Sequence, residues 1–210
     1  MIKKNLKTLI ITSIVILLPI LAGVILWNQL PDPMPTHWNA AGEIDGWSSK
    51  PFAVFGLPLI LLAAQWLCVL ATTTDPKRQN HSEKIYHLVF WIMPVLSIVL
   101  NAVTYLTVLG VGVRMEMVMP IFMGLLFVII GNYLPKCKQS YTIGIKIPWT
   151  LNNEENWNKT HRLAGWVWVI GGFAIMLTGF FGGFVAFFVI TLVMVLVPTI
   201  YSYLLHRKGL

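Results

Sequence analysis

Charged side chains are scarce in this chain of 210 residues. Only 11% of the residues are Asp, Glu, Lys or Arg, whereas 57% are hydrophobic; an ordinary soluble domain has about 25% charged residues. A water-soluble protein of this length needs more polar residues to cover its surface, and a disordered chain is poor in apolar residues. The composition therefore excludes both classes and predicts a small integral membrane protein.

Several chemical signatures are also missing. The two cysteines, Cys68 and Cys137, are too few for a disulfide framework, so we expect two free thiols. There is no H-E-x-x-H zinc motif and no P-loop, and none of the long apolar runs contains a carboxylate, which disfavours a zinc protease, a nucleotide-driven pump and an aspartyl intramembrane protease.

What the sequence has in abundance is long apolar runs. A membrane-spanning helix needs about 20 mostly apolar residues, and a span must be helical to satisfy its own backbone amides in lipid. Six such runs are present, approximately Thr8–Trp27, Phe52–Thr73, Ile85–Gly110, Met117–Leu134, Leu163–Phe181 and Gly183–Leu205. The predicted fold class is an all-α, polytopic protein of the cell membrane with six transmembrane helices.

The basic residues predict the orientation. If the N-terminus is cytoplasmic, only Lys50 and Arg114 of the 15 Lys and Arg residues lie outside, leaving 13 inside. Cytoplasmic loops collect Lys and Arg, so both termini are predicted to be cytoplasmic. The same rule accounts for the net charge of +7 without nucleic-acid binding. We divide the chain into a two-helix unit over 1–73, two middle helices over 74–134, and a C-terminal part over 135–210.

The first long loop, 28–51, is predicted to be extracellular. Prolines favour an extended start, and Asn39, Gly42 and Asp45-Gly46 are turn signals. Its aromatic residues would either pack a small folded cap or rest among lipid headgroups. His37, Glu43 and Asp45 suggest metal ligands, but their spacing matches no standard site. The predicted recognition residues are His37, Trp38, Asn39, Gly42, Asp45, Gly46, Trp47 and Lys50.

The second long loop, 135–162, is predicted to be cytoplasmic. It contains a β-prone segment over 141–147 and a pairing of Asn152 with Glu155 that is typical of a helix start. Trp157 and His161 then share one helical face, so a helix should run directly into the fifth span. His161 and Arg162 at the membrane entrance could alternatively bind lipid phosphate. The residues proposed as the motif are Gly144, Lys146, Pro148, Trp149, Thr150, Trp157, His161 and Arg162.

Polar residues within the spans suggest an alternative function. Gln65, His87, Asn101 and Asn132 are the candidates, and a small transporter or exporter of peptide or lipid would line a polar cavity with such groups. Amides in spans also commonly hold helices together. A third hypothesis is a metal-dependent membrane enzyme using His37 or His161.

Both loops resemble a known family. The stretch Ile143-Gly-Ile-Lys-Ile-Pro-Trp-Thr-Leu151, followed by Trp157 and His161-Arg162, resembles the signature of the SdpI family, bacterial membrane immunity proteins for the sporulation-delaying killing peptide. The stretch Pro35–Lys50 resembles the N-terminal domain of unknown function often joined to it. The resemblance implies a function that is not enzymatic and needs no cofactor, namely resistance to a toxin peptide, which the extracellular loop would meet. The best-known member of the family also signals by holding a transcriptional repressor at the membrane, so the resemblance further implies that the cytoplasmic face could meet such a repressor.

Overall fold

Helices form most of the molecule. The computed structural model describes residues 2–181 and 183–210, without the side chains of residues 2–4 and 184. The long helices are α1 (Ile2–Ile25), α2 (Leu57–Thr74), α3 (Glu83–Val108), α4 (Met115–Tyr133), α6 (Glu154–Phe181) and α7 (Phe184–Arg207), and α5 (Pro148–Asn152) is a single short turn. A π-helical turn, Phe52–Gly56, leads into α2, and 3-10 turns cover Arg78–Asn80 and Leu134–Lys136.

Six of these helices are long and apolar enough to cross a membrane, as predicted. The chain is therefore a multi-pass membrane protein that lies in the lipid bilayer. The helix of the fifth span begins at Glu154, well before the apolar run, in agreement with the predicted helix that runs directly into this span. That polar first part of α6 carries much of the motif. Cys68 and Cys137 are both free.

A two-stranded antiparallel sheet interrupts the helical pattern in the first long loop. Strand β1 is Met34–Trp38 and strand β2 is Ile44–Ser48. The register pairs Met34 with Ser48 and Trp38 with Ile44, with irregularities on either side of His37. The turn signals were recognised in the sequence, but the loop folds as a hairpin that was not predicted.

One compact unit consists of Met1–Thr73 and Tyr86–Met115, so α3 packs with α1, the hairpin and α2. Beneath the hairpin the buried side chains of Leu30, Met34, Val54 and Tyr105 form a core. Because lipid cannot hydrate polar groups, several of those in this unit bond within the protein. Tyr105, for example, donates its hydroxyl to the carbonyl oxygen of Pro19 at 3.1 Å.

The other compact unit consists of Thr74–Ile85 and Glu116–Leu210. Helices α4 and α6 approach closely because glycines face each other: a Cβ on Gly124 would lie 2.5 Å from the carbonyl oxygen of Gly172, and a Cβ on Gly131 would lie 3.0 Å from that of Gly165. The two units follow packing rather than chain order. Most of α3 belongs to one unit and α4 to the other, whereas the division made from the sequence placed both helices in 74–134.

Candidate functional site

The motif is built on the first turns of α6. Asn153 begins this helix, because its Oδ1 accepts the backbone N–H of Asn156 at 2.9 Å. The predicted capping pair of Asn152 and Glu155 was therefore wrong by one residue: Asn152 is the last residue of α5. Trp157 and His161 share one face of α6, as predicted, and this face is buried, since the two side chains are 0% and 1% exposed.

His161 is the central side chain of the motif. Its Nδ1 lies 2.8 Å from the carbonyl oxygen of Trp157, and its Nε2 accepts the backbone N–H of Ile145 at 2.9 Å. This pair of bonds requires a neutral ring that carries its proton on Nδ1. The ring stacks on Trp157 with 4.0 Å between centroids. Because its Nε2 takes the N–H of Ile145, the side chain helps fix the loop 141–147, in which no strand forms.

Gly144 lies directly over these two rings. Its φ is +120°, and a Cβ there would lie 2.6 Å from Nε2 of His161 and 2.7 Å from the indole carbons of Trp157. Both the backbone conformation and the space therefore require glycine at this position. Trp157 in turn donates its Nε1 hydrogen to the carbonyl oxygen of Cys137 at 2.8 Å, and burial raises the pKa of the Cys137 thiol to about 11.

Thr150 closes the other half of the motif. Its fully buried hydroxyl lies 2.7 Å from the carbonyl oxygen of Ile145, to which it donates, and accepts the backbone N–H of Ile147 at 3.2 Å. Pro148 suits the first position of α5, which has no use for an N–H. Gln139 then donates to the carbonyl oxygens of Thr150 and Leu151 at 2.8 and 3.0 Å.

A second loop, 74–85, holds the motif through a buried carboxylate. Asp75 is 2% exposed and accepts the backbone N–H groups of Lys77 and Tyr141 and the hydroxyl of Thr142, at 2.7, 3.0 and 2.7 Å. Burial alone would raise the pKa of this carboxyl, but these hydrogen bonds outweigh it and hold the pKa below its ordinary value. Nε2 of His81 lies 3.6 Å from the carboxylate.

Two further contacts join the same loops. Lys77 donates to Oε1 of Gln139, and Asn80 donates to the carbonyl oxygen of Gln139 at 2.8 Å. Burial lowers the pKa of the His81 imidazole, an effect that the Asp75 carboxylate opposes. Asp75, Lys77, Asn80, His81 and Gln139 were all missed by sequence reasoning, because the two loops lie about 60 residues apart.

Four motif residues face outward to different degrees. Lys146, Pro148 and Arg162 are exposed, and Trp149 is half-buried. Trp149 lies against the end of α7, with its ring 5.0 Å from that of Tyr203 and stacked 6.1 Å from His206. The motif thus divides into buried residues that fix the loop and exposed residues that are free to meet a partner.

The hairpin forms the second candidate surface. Nδ1 of His37 lies 2.5 Å from Oδ1 of Asp45, which joins β1 to β2 across the sheet. Oδ1 of Asn39 accepts the N–H groups of Ala41 and Glu43 at 2.8 and 3.0 Å, so its side chain closes the turn. Gly42 has a φ of +80° in that turn.

The other predicted hairpin residues have distinct surroundings. Trp47 is 55% exposed, whereas Trp38 is half-buried. Lys50 donates to the carbonyl oxygen of Trp27 at 3.1 Å and lies 5.2 Å from the centre of that ring. Gly46 faces His37 so closely that a Cβ would lie 2.6 Å from the His37 Cβ. The hairpin is therefore a folded element that displays Trp47.

The residues suggested as metal ligands or as the lining of a transport path do not form a common site in the described part of the chain. Within residues 2–181 and 183–210, no group of three or more His, Cys, Asp or Glu side chains could hold a metal ion. Gln65 donates to Oγ1 of Thr12 at 2.8 Å, and Asn101 donates to the carbonyl oxygen of Ser97 at 2.8 Å. Asn132 and His87 are exposed.

Two families match separate parts of the chain. Residues 136–202 match the SdpI/YfhL protein family, and residues 14–62 match a domain of unknown function, DUF1648. The immunity protein SdpI of Bacillus subtilis strain 168 is 29% identical over 209 residues, which cover 98% of this chain and 97% of that protein. No solved structure matches.

The residues of the two candidate surfaces lie partly inside and partly outside the matched family segments. The SdpI segment contains Gln139, Gly144, Thr150, Trp157 and His161, and the DUF1648 segment contains the hairpin. The loop 74–85, with Asp75, lies between the two segments. The SdpI motif is therefore held partly by residues outside the SdpI match.

Proposed function

We propose that this chain is a membrane immunity protein that protects the cell from a secreted toxin peptide and is not an enzyme. The supporting observation is the match to an immunity protein along nearly the whole of both chains. The folded motif adds physical support, because the SdpI segment forms one hydrogen-bonded site rather than a loose connector.

The hairpin is the element we propose for meeting the toxin. It holds its own shape through the His37–Asp45 pair and the Asn39 turn, so binding would not have to order a flexible loop. Trp47 supplies an exposed aromatic side chain, the kind of residue that dominates binding energy at protein interfaces. The His37–Asp45 pair would hold the strand that carries Trp47 in position.

The motif is the element we propose for the cytoplasmic side, where it would contact a transcriptional repressor if the chain also signals. Lys146, Pro148 and Trp149 are the candidate contact residues, because they lie on the accessible side of the motif loop, whereas Thr150, Trp157 and His161 are buried. Cysteines introduced for Asp45 and Lys146, in a chain lacking both native cysteines, would test this orientation. An impermeant thiol reagent should label the first and not the second in intact cells.

The function is tested by expression in a bacterium sensitive to the sporulation-delaying killing peptide. The wild-type chain should restore growth in the presence of the peptide. Trp47→Ala should lose protection while its membrane level matches that of Asn158→Ala, a control at an exposed position of α6. Continued killing of cells that contain the wild-type chain would count against immunity.

A further inference from the structure

Arg162 and His161 are neighbours in α6 but face opposite surroundings. His161 is 1% exposed and bonded to the motif loop, whereas Arg162 is exposed. Within the part of the chain that the structure describes, the guanidinium of Arg162 has no hydrogen bond or ion pair. Five N–H donors are thus available to a partner outside the chain.

The position of Arg162 on α6 indicates what that partner is. Following it at intervals of four, four, three and four residues are Trp166, Ile170, Phe173 and Leu177, which are 68%, 64%, 55% and 58% exposed. These intervals keep all five side chains on one face of the helix. Exposed apolar side chains on a membrane-spanning helix face acyl chains, so Arg162 stands where that face reaches the headgroups.

The two helices that pack with α6 also carry a row of exposed side chains that is followed by a basic residue. On α4, Leu125 and Ile129 are 48% and 37% exposed, Asn132 is exposed, and Lys136 follows four residues later. Pro135 packs against Gly165, which places Lys136 at the depth of the turn that contains Arg162.

On α7, Leu196, Ile200 and Tyr203 are 43%, 53% and 43% exposed. Arg207 follows four residues later as the last residue of the helix, and it is also exposed. Each of these three rows of exposed apolar side chains, on α4, α6 and α7, is an apolar stripe, and each stripe ends in a cation.

We propose that Lys136, Arg162 and Arg207, the cationic rim, bind the headgroups of anionic phospholipids whose acyl chains lie along the three apolar stripes. The continuity of each cation with an exposed apolar face favours a lipid over a soluble acidic protein, which would need no apolar stripe beneath it. Arg162 can grip a phosphate through two parallel N–H bonds. Tyr203 touches Trp149, so lipid on α7 lies beside the motif.

The test uses the purified full-length chain and does not depend on the immunity function. The protein is equilibrated in micelles with equal amounts of a phosphatidylglycerol and a phosphatidylcholine of identical chains, and retained lipids are counted by native mass spectrometry. The wild-type chain should retain the anionic lipid preferentially. Each Gln substitution in the rim should lower that preference about fivefold, whereas the charge-preserving set Lys136→Arg, Arg162→Lys and Arg207→Lys should keep most of it.

Three results would overturn the proposal. Equal retention of both lipids by the wild-type chain would mean that the rim does not select charge. An undiminished preference in the triple Gln variant would place the lipid elsewhere. Binding of an acidic peptide with no lipid preference would assign the rim to a protein partner. If the triple variant does not fold, Arg162→Gln alone carries the test, since that side chain has no partner among the described residues.

Discussion

Replacing Gly144 with alanine is the sharpest perturbation of the motif. The new Cβ would lie 2.6 Å from Nε2 of His161 and 2.7 Å from ring carbons of Trp157. Neither ring can move away easily, because both are at most 1% exposed and each is hydrogen-bonded. In addition, the φ of +120° is a conformation that alanine rarely adopts.

The two effects can be given magnitudes. A backbone forced into such a region costs about 1–3 kcal/mol, and an extra methyl in a well-packed core costs a further amount of about 1–3 kcal/mol. Gly144→Ala should therefore lower the free energy of unfolding by roughly 2–6 kcal/mol. The measurement is equilibrium unfolding in detergent, followed by tryptophan fluorescence.

Gly110 provides a matched control for the backbone effect. It also has a positive φ, +81°, but a Cβ there would meet nothing within 4 Å. Gly110→Ala should therefore show only the backbone cost of about 1–3 kcal/mol. If Gly144→Ala were no more destabilising than Gly110→Ala, the close packing of Gly144 on the two rings would be refuted.

Three further predictions concern Asn156, His81 and Trp47. Asn156→Ala should lower the free energy of unfolding by about 2–3 kcal/mol, because buried partners on α6 and α7 lose their hydrogen bonds, whereas the exposed Asn158→Ala should change it by less than about 0.5 kcal/mol. His81 resists protonation when folded, so the unfolded chain binds more protons as the pH falls below about 6.5, and stability should drop there. His81→Gln should reduce that pH dependence in thermal unfolding without abolishing it, because the buried ring of His161 must also stay neutral in the folded chain; an unchanged slope would rule out His81 as a source. Trp47→Ala should leave the melting temperature within about 2 °C of wild type, since the side chain is largely exposed, and a large drop would show that Trp47 is structural.

The spans could be predicted because lipid leaves the backbone few choices. An apolar run of about 20 residues without charge has to be a helix to satisfy its amides, and all six predicted runs are helices. The shared face of Trp157 and His161 was also predictable, since helical spacing alone defines it, whereas the burial of that face depends on the loop packed over it. The spacing of Glu155 and Lys159 on a helix likewise indicates an ion pair, and their side chains lie 2.8 Å apart.

Contacts between distant segments could not be predicted. Asp75 looks like an ordinary polar residue at the end of a span, and nothing in its neighbours indicates that it binds Tyr141 and Thr142. The hairpin could not be predicted for the same reason. Asn39 and Gly42 indicate a turn, but the pairing of Met34 with Ser48 depends on packing beneath the sheet. A β-prone segment around Gly144 instead gives a backbone N–H to a histidine ring.

Immunity is the central function proposed for this chain, and a survival measurement tests it directly. Cells sensitive to the killing peptide should survive it when they carry the wild-type chain in their membrane, and should die when they carry Gly144→Ala at the same level. Equal survival of cells with and without the wild-type chain, across a dose series that kills half of the unprotected cells, would contradict the proposed function.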